Sequence, residues 1–297
     1  MSLIIYGTLV GLVYGLWAVS FAIIFRSVRI FHVLHAASFT VAAYGCWIVA
    51  KATGGIWYGI AFGLITAVLV GLASEILLYR PLMRMRVRPG LLFVVSLGAY
   101  IVVENLIQLV WRADSRTIDL PPSLTTSFKL GATGVSAIEL IESLAMLMLW
   151  LLTLFLLRFT MLGKAIRAIS IAPEMAELAG VDVKLIRRLA FAFGSLLIGI
   201  SGILFLMRVG IEPTSGIPVW IIAVVASLIG RSHPVWSYVA GLGIGLCEAI
   251  ILLWLPAAWQ SAIPVLVLMA YLIFVAVSRG IEAVMARSRA QRQLQDA

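Results

Sequence analysis

Charge is scarce in this sequence. Asp, Glu, Lys and Arg make up 12% of its 297 residues, whereas soluble domains carry about 25%. With 63% hydrophobic residues, a chain of this size has too little interior to hide its apolar side chains from water, which excludes an ordinary soluble domain. Cysteine is nearly missing. Cys46 and Cys247 both lie inside apolar runs, and their spacing suits neither a metal nor a redox pair. Histidine is as sparse. His32 and His35 have a permitted metal-ligand spacing, but no third ligand of matching type is near and His233 stands alone beside Pro234, so no metal site is expected. There is no acidic cluster and no nucleophile beside a base, as a membrane enzyme would need. A phosphate-binding glycine loop is missing too. Gly163-Lys164-Ala165 lacks the upstream glycine and the terminal hydroxyl residue. The chain is therefore expected to be neither an enzyme nor the holder of a cofactor. Its first residues have no basic leader and no small-residue cleavage site, so they read as a first span and not a cleaved signal.

Long apolar runs are what the sequence does have. A span needs about 20 apolar residues. Runs that meet or approach this lie at 3–25, 33–50, 56–79, 91–111, 137–157, 189–207, 217–230, 235–255 and 261–277. The fold expected is an all-α polytopic transmembrane helix bundle of about eight to ten spans. It fills residues 1–279, and a basic tail follows at 280–297. The runs at 33–50 and 217–230 are short, as broken or re-entrant helices lining a pathway are. Small residues recur four apart at Gly7, Gly11 and Gly15, at Gly59, Gly63, Ala67 and Gly71, and at Gly241 and Gly245. Such faces let helix backbones approach closely.

The net charge is +9. In a soluble protein this would suggest nucleic acid; here the charges sit between apolar runs and set orientation instead. With the N-terminus outside, the inner loops hold Arg26 and Arg29, then Arg80, Arg84, Arg86 and Arg88, then the cluster Arg158, Lys164, Arg167, Lys184, Arg187 and Arg188, then Arg231. Arg279, Arg287, Arg289 and Arg292 put the tail on the same side, where anionic lipid would attract it. Lys51, Arg112, Arg116, Lys129 and Arg208 are left outside. The loop at 112–136, with Asp114, Asp119, Pro121 and Pro122, reads either as an outer contact surface or as a solvated connector.

The inner interval 158–188 is the longest polar-tolerant stretch between spans. Pro173 suits a first helical turn, Glu174 and Glu177 lie near the positive end of a helix dipole, and Gly180 stands where a left-handed residue ends a helix. A short helix over 173–179 is expected, with Met175, Leu178 and Ala179 forming a small apolar face. A helix this short is marginal alone and needs a partner surface or the lipid interface.

Ionisable groups in apolar runs are functional suspects because of what they cost there. Glu75, Glu139 and Glu142 lie near span ends and are expected to reach water, and Arg208 also closes a run. Glu104 with Asn105, and Glu248, lie deeper and are candidates for a translocation pathway or for interhelical hydrogen bonds. His35 is read as a polar residue at a broken helix near the pathway. Tyr44, Trp47 and Trp220 are pathway-lining candidates for an apolar or aromatic solute, with core packing as the alternative.

Around the short helix, Leu162, Gly163, Ala165, Arg167, Ala168, Pro173, Glu174, Ala176 and Gly180 fall in the order of the loop that ABC importer permeases carry. This stretch closely resembles the branched-chain amino acid permease family (LivH/LivM type). Gly11-Leu12-x-Tyr14-Gly15-Leu16-x-Ala18 resembles the family's opening motif. His35, Ala43 and Tyr44, then Asn105, then Gly241, Gly245 and Glu248 match later motifs in order. Ala172 stands where the family has Asn, so the usual helix cap is missing.

The resemblance implies an importer of branched-chain amino acids or related small solutes in the bacterial inner membrane. The N-terminus would be periplasmic and the C-terminus cytoplasmic. It implies a sister permease, two cytoplasmic ATPases that bind ATP and Mg, and a periplasmic substrate-binding protein. It makes Pro173, Glu174, Met175, Ala176, Leu178 and Gly180 the coupling helix to the ATPase. The competing reading, a stand-alone secondary transporter, would favour paired charges deep in several spans, for which only Glu104 and Glu248 qualify.

Overall fold

The computed structural model describes residues 2–130, 133–254, 256, 259 and 262–273. The end of the last apolar run (261–277) and the basic tail at 280–297 lie outside the described residues. The chain opens with α1 (Ser2–Val28), a loop, and α2 (His35–Thr53). Next, α3 (Ile56–Ala73) runs through a π-helical turn at Ser74–Tyr79 into α4 (Arg80–Arg84), and α5 (Pro89–Trp111) follows. The loop at 112–136 holds α6 (Pro122–Thr125) and a hairpin, β1 (Ser127–Leu130) with β2 (Thr133–Ser136). Then come α7 (Ala137–Phe159), α8 (Met161–Ile171), α9 (Pro173–Leu178) and α10 (Val183–Val209). A 3-10 turn at Pro213–Ser215 leads into α11 (Gly216–Ile229) and α12 (Pro234–Ile251), and α13 covers Ile263–Ile273.

Six of these segments are long and apolar enough to cross a membrane: α1, α3 with its continuation, α5, α7, α10 and α12. The bundle is all-helical apart from the hairpin. The helix α2 is 19 residues long, but it carries His35, Ser38, Thr40 and Tyr44 and is walled by α3, α10 and α11. Buried against protein, it needs less hydropathy than a lipid-facing span. The run at 217–230 becomes α11, 14 residues long, or roughly 21 Å, which is short of the ~30 Å hydrocarbon core.

At the centre, α1 packs along α12 and also touches α10, α11 and α7. The small residues explain the closeness of the α1–α12 crossing. A Cβ on Gly241 would lie 2.5 Å from the Cα of Gly15, and one on Gly245 would lie 2.5 Å from the Cα of Gly11. Backbone meets backbone there, so a side chain can only push the helices apart. We expect Gly241→Leu to lower stability by at least the ~1–3 kcal/mol of ordinary overpacking. Gly243→Leu, with nothing within 4 Å of its Cβ, serves as the control. Thermal unfolding of the two variants in detergent checks this.

Two of the loops carry structure beyond what the sequence revealed. The described part of the loop at 112–136 is ordered. Its hairpin pairs Ser127 with Ser136 and Phe128 with Val135, and Arg116 exchanges backbone hydrogen bonds of 2.9 and 2.8 Å with Ile211. On the other side, the interval 158–188 holds two helices, not one. The additional helix, α8, is capped by the Thr160 hydroxyl, which accepts from Gly163 N. It seats Gly163, Ile166 and Ile169 inward while Lys164 and Arg167 stay exposed.

Candidate coupling helix and polar seams

The short helix α9 forms where proline and glycine punctuate the chain. Pro173 opens it, and Ala172 supplies no side-chain cap. It runs to Leu178, so Ala179 is its cap residue and not part of its apolar face. Gly180 has φ +87°, which L side chains rarely adopt. Its N–H donates to the Glu177 carbonyl, and the Val181 N–H donates to the Ala176 carbonyl, each at 3.0 Å. This doubly bonded ending is the Schellman motif. It compensates at the C-terminus for the weak start at Ala172.

A small apolar knot fixes α9 to the chain. Ala176 packs with Ile169 of α8 and Val183 of α10. The Asp182 carboxylate then accepts the N–H groups of Lys184 and Leu185, both at 3.0 Å, and starts α10. Arg29 donates to the Ser170 carbonyl at 2.7 Å, and Arg167 donates to the Leu157 carbonyl. The outer face of α9 has no such cover: Met175 is 67% exposed and Leu178 is 84% exposed.

The candidate pathway residues fall into separate groups. His35 and Trp220 share one. The ring of Phe21 stands edge-on to both, with centroids 6.4 Å apart in each case. His35 Nε2 lies 3.0 Å from the Ser20 hydroxyl, and the Trp220 indole N–H donates to the His32 carbonyl at 2.8 Å. His32 Nδ1 in turn lies 2.8 Å from the Tyr79 hydroxyl. The irregular turn between α1 and α2 is thus held by α11 and by the π turn after α3.

Tyr44 and Trp47 sit further along α2, about 14 and about 18 Å from His35 by helical rise. Their rings lie 6.4 Å apart, and Trp111 lies 5.8 Å from Tyr44. Arg116 and Lys51 both approach the face of Trp47, at 5.3 and 5.1 Å. Trp47 and Lys51 border a cavity of about 560 Å³ that Asp119 also lines.

Glu248 is buried on α12 and accepts the Tyr14 hydroxyl at 2.9 Å. Tyr14 lies against Trp17, whose indole N–H donates to Ser201 of α10. One carboxylate is thereby tied to a seam through α1. The pair on α5 makes hydrogen bonds within its own helix. Glu104 is half-buried and accepts from Gln108 at 3.2 Å. Asn105 faces outward and donates to the Ile101 carbonyl of its own helix at 2.7 Å. Asn105 is mid-run on α5 but exposed on the surface of this chain.

Two carboxylates expected to reach water do not. Glu142 is only 2% exposed and lies 2.5 Å from the Arg208 guanidinium. Glu75 is 3% exposed and lies 3.6 Å from Arg188. In each case α10 is responsible. Its 27 residues outlast the apolar run at both ends and carry an arginine alongside each acid. Glu139 keeps a local role in the capping box with Ser136 (2.9 and 3.3 Å). The Glu142–Arg208 pair borders a cavity of about 230 Å³ that Tyr6, Tyr14 and Trp17 also line. Arg208 was visible as an embedded charge; its partner, distant in sequence, was not.

A multi-pass helical bundle with buried polar seams and one short, uncovered helix at its basic end has the architecture of a membrane transport subunit. Sequence comparison agrees. The chain belongs to the family described as branched-chain amino acid transport system / permease component, whose profile matches residues 3–273. Among curated proteins it is similar to the high-affinity branched-chain amino acid transport system permease protein LivH of Escherichia coli strain K12. They are 24% identical over 280 residues, covering 86% of this chain and 87% of that protein. LivH of Salmonella typhimurium is also 24% identical, over 278 residues, with 86% and 87% covered.

Proposed function

We propose that this chain is the membrane-spanning permease subunit of an ABC importer for branched-chain amino acids or related small solutes (other amino acids, amides, aromatic acids). It would sit in the bacterial inner membrane with its N-terminus periplasmic and its C-terminus cytoplasmic. ATP and Mg would be bound by two separate cytoplasmic ATPases. A sister permease would pair with it, and a periplasmic binding protein would deliver the solute. The observation that carries the reading is the build of α9: a rigidly ended helix whose Met175 and Leu178 side chains stand largely exposed. The names of the similar proteins support the substrate class.

The connections of α9 suggest how nucleotide-driven movement would spread. The helix joins α8 and α10 through the Ala176 knot. Arg188 links the first turns of α10 to Glu75, at the π turn. From there α10 runs beside α1, α2 and α3. A push on α9 is thus delivered to the helices that hold His35 and Tyr44, which suits alternating access. The outward face of α5, with Ile101, Val102, Leu106 and Leu109 exposed, is available to lipid or to the sister permease.

The direct test is cross-linking. With Cys46 and Cys247 replaced, Leu178→Cys is expected to cross-link to an ATPase subunit in the assembled complex. Leu109→Cys, on α5, is expected not to. Equal labelling of the ATPase from both positions, or from neither, would remove the docking assignment.

A further inference from the structure

A third cavity, of about 310 Å³, opens at the end of the bundle that carries α8 and α9. It lies where four elements end or begin: the last turn of α1, the last turns of α7, the start of α8, and the turn before α12. Arg26, Arg158, Arg167 and His233 line it together. Among the described residues none of the four is paired with an Asp or Glu; the described ion pairs use Arg116, Arg188 and Arg208. Arg26 and Arg167 are near enough to repel each other. The His233 imidazole is pulled below its ordinary pKa by burial and then by Arg26. Its Nδ1 accepts the Val235 N–H at 3.3 Å, which leaves Nε2 as the ring's donor.

Positive charge gathered around a void without an acid is unfavourable unless an anion fills it. The rest of the lining says which kind. Ile23, Leu154, Leu157, Ile166 and Val235 make an apolar floor. Beyond Leu154, the face of α7 continues outward through the exposed Leu151, Leu152 and Phe155. A free phosphate ion has no use for that floor. A phospholipid does: its phosphate meets the arginines at the membrane surface, and its chains follow α7 into the bilayer.

We propose that this cavity is a binding site for an anionic phospholipid. Its phosphate is held by Arg26, Arg158 and Arg167, with His233 as an added donor, and its acyl chains lie along α7. Three arginines match a headgroup with two phosphates, as in cardiolipin, better than one with a single phosphate. Basic pockets between membrane helices are known to suit such headgroups. The site is separate from the uncovered face of α9, and it would anchor α8 to the membrane beside the coupling helix.

The full chain, purified in detergent and stripped of lipid, can be titrated with cardiolipin, phosphatidylglycerol or phosphatidylcholine and followed by native mass spectrometry. The expected result is one retained cardiolipin, bound more tightly than phosphatidylglycerol, with no comparable phosphatidylcholine adduct. Each basic residue near a membrane surface contributes about 1 kcal/mol, so Arg26→Gln with Arg167→Gln should weaken cardiolipin binding about thirtyfold. Arg26→Lys with Arg167→Lys should retain most of it. Should the first pair fail to fold, Arg158→Gln alone, at an exposed side chain, should cost about fivefold. Arg84→Gln with Arg86→Gln, on another basic loop, should leave binding unchanged. The proposal is overturned if the cavity variants hold cardiolipin as tightly as the parent chain, or if the Arg84 and Arg86 variant loses it equally. It is also overturned if millimolar inorganic phosphate displaces the lipid, which would assign the arginines to a soluble anion.

Discussion

Replacing Met175 and Leu178 together by glutamate is expected to separate the ATPase from this chain and stop transport. The two side chains are the most exposed apolar groups on α9. They make no hydrophobic contact that holds the bundle together, since Ala176 alone seats the helix. Buried in a partner's groove, each would act as an anchor worth about 2 kcal/mol or more. Two lost anchors, about 4 kcal/mol, correspond to roughly a thousandfold loss of affinity. Co-purification of the ATPase with the double variant and substrate-stimulated ATP hydrolysis are the measurements. Both should fall to background while thermal unfolding of the permease stays that of the parent. Unchanged co-purification would mean that α9 faces lipid or water.

The largest effect on stability is expected at Arg208. Arg208→Met removes the counter-charge of Glu142, which is only 2% exposed. A buried charge left alone costs about 3–5 kcal/mol. The companion Glu142→Leu in the same chain should recover most of the loss, because two apolar side chains replace the pair without stranding a charge. Unfolding of the parent, the single and the double variant, measured side by side in one detergent, distinguishes this from mere loss of arginine packing. If the single variant is no less stable than the double, Glu142 reaches water by a route the structure does not show.

The parts of the molecule set by local rules could be read from the sequence. Among the described residues, each apolar run falls largely on a helix. Pro173 and Gly180 bracket α9 because proline fixes φ and lacks an N–H at the start, and glycine takes the left-handed φ of the ending without strain. The stripe Gly241 and Gly245 marked a close crossing, although not that Gly11 and Gly15 would face it. What depended on distant partners was not legible. Glu75 and Glu142 looked like residues at the edge of water, because nothing nearby in sequence signals that α10 carries Arg188 and Arg208 to them. Asn105 looked deep because its run is apolar, but depth along a span is not burial against a neighbour. The helix α8 was hidden for another reason. Lys164 and Arg167 interrupt the apolar run, and the inward stripe of Gly163, Ile166 and Ile169 is narrow. The hairpin at Ser127–Ser136 lacks a strong turn signal and is stabilised by its place beside α7.

The candidate site was legible to the same degree. The six residues expected to couple to an ATPase lie on one helix and its ending, as their spacing requires. The pathway residues came from chemistry alone, and the fold distributes them: His35 with Trp220, Tyr44 with Trp47, and Glu248 with Tyr14. If one solute route passes through the chain, it connects groups that α1 and α2 hold apart.

Transport through this chain is expected to be powered by ATP on partner subunits. The most direct test is uptake of a radiolabelled branched-chain amino acid into proteoliposomes. These would contain this chain, its sister permease and the ATPase, with MgATP inside and the binding protein outside. Uptake that needs ATP and the binding protein, and that survives collapse of proton and sodium gradients, is the predicted result. Uptake by this chain alone, driven by an ion gradient without any ATPase, would contradict it.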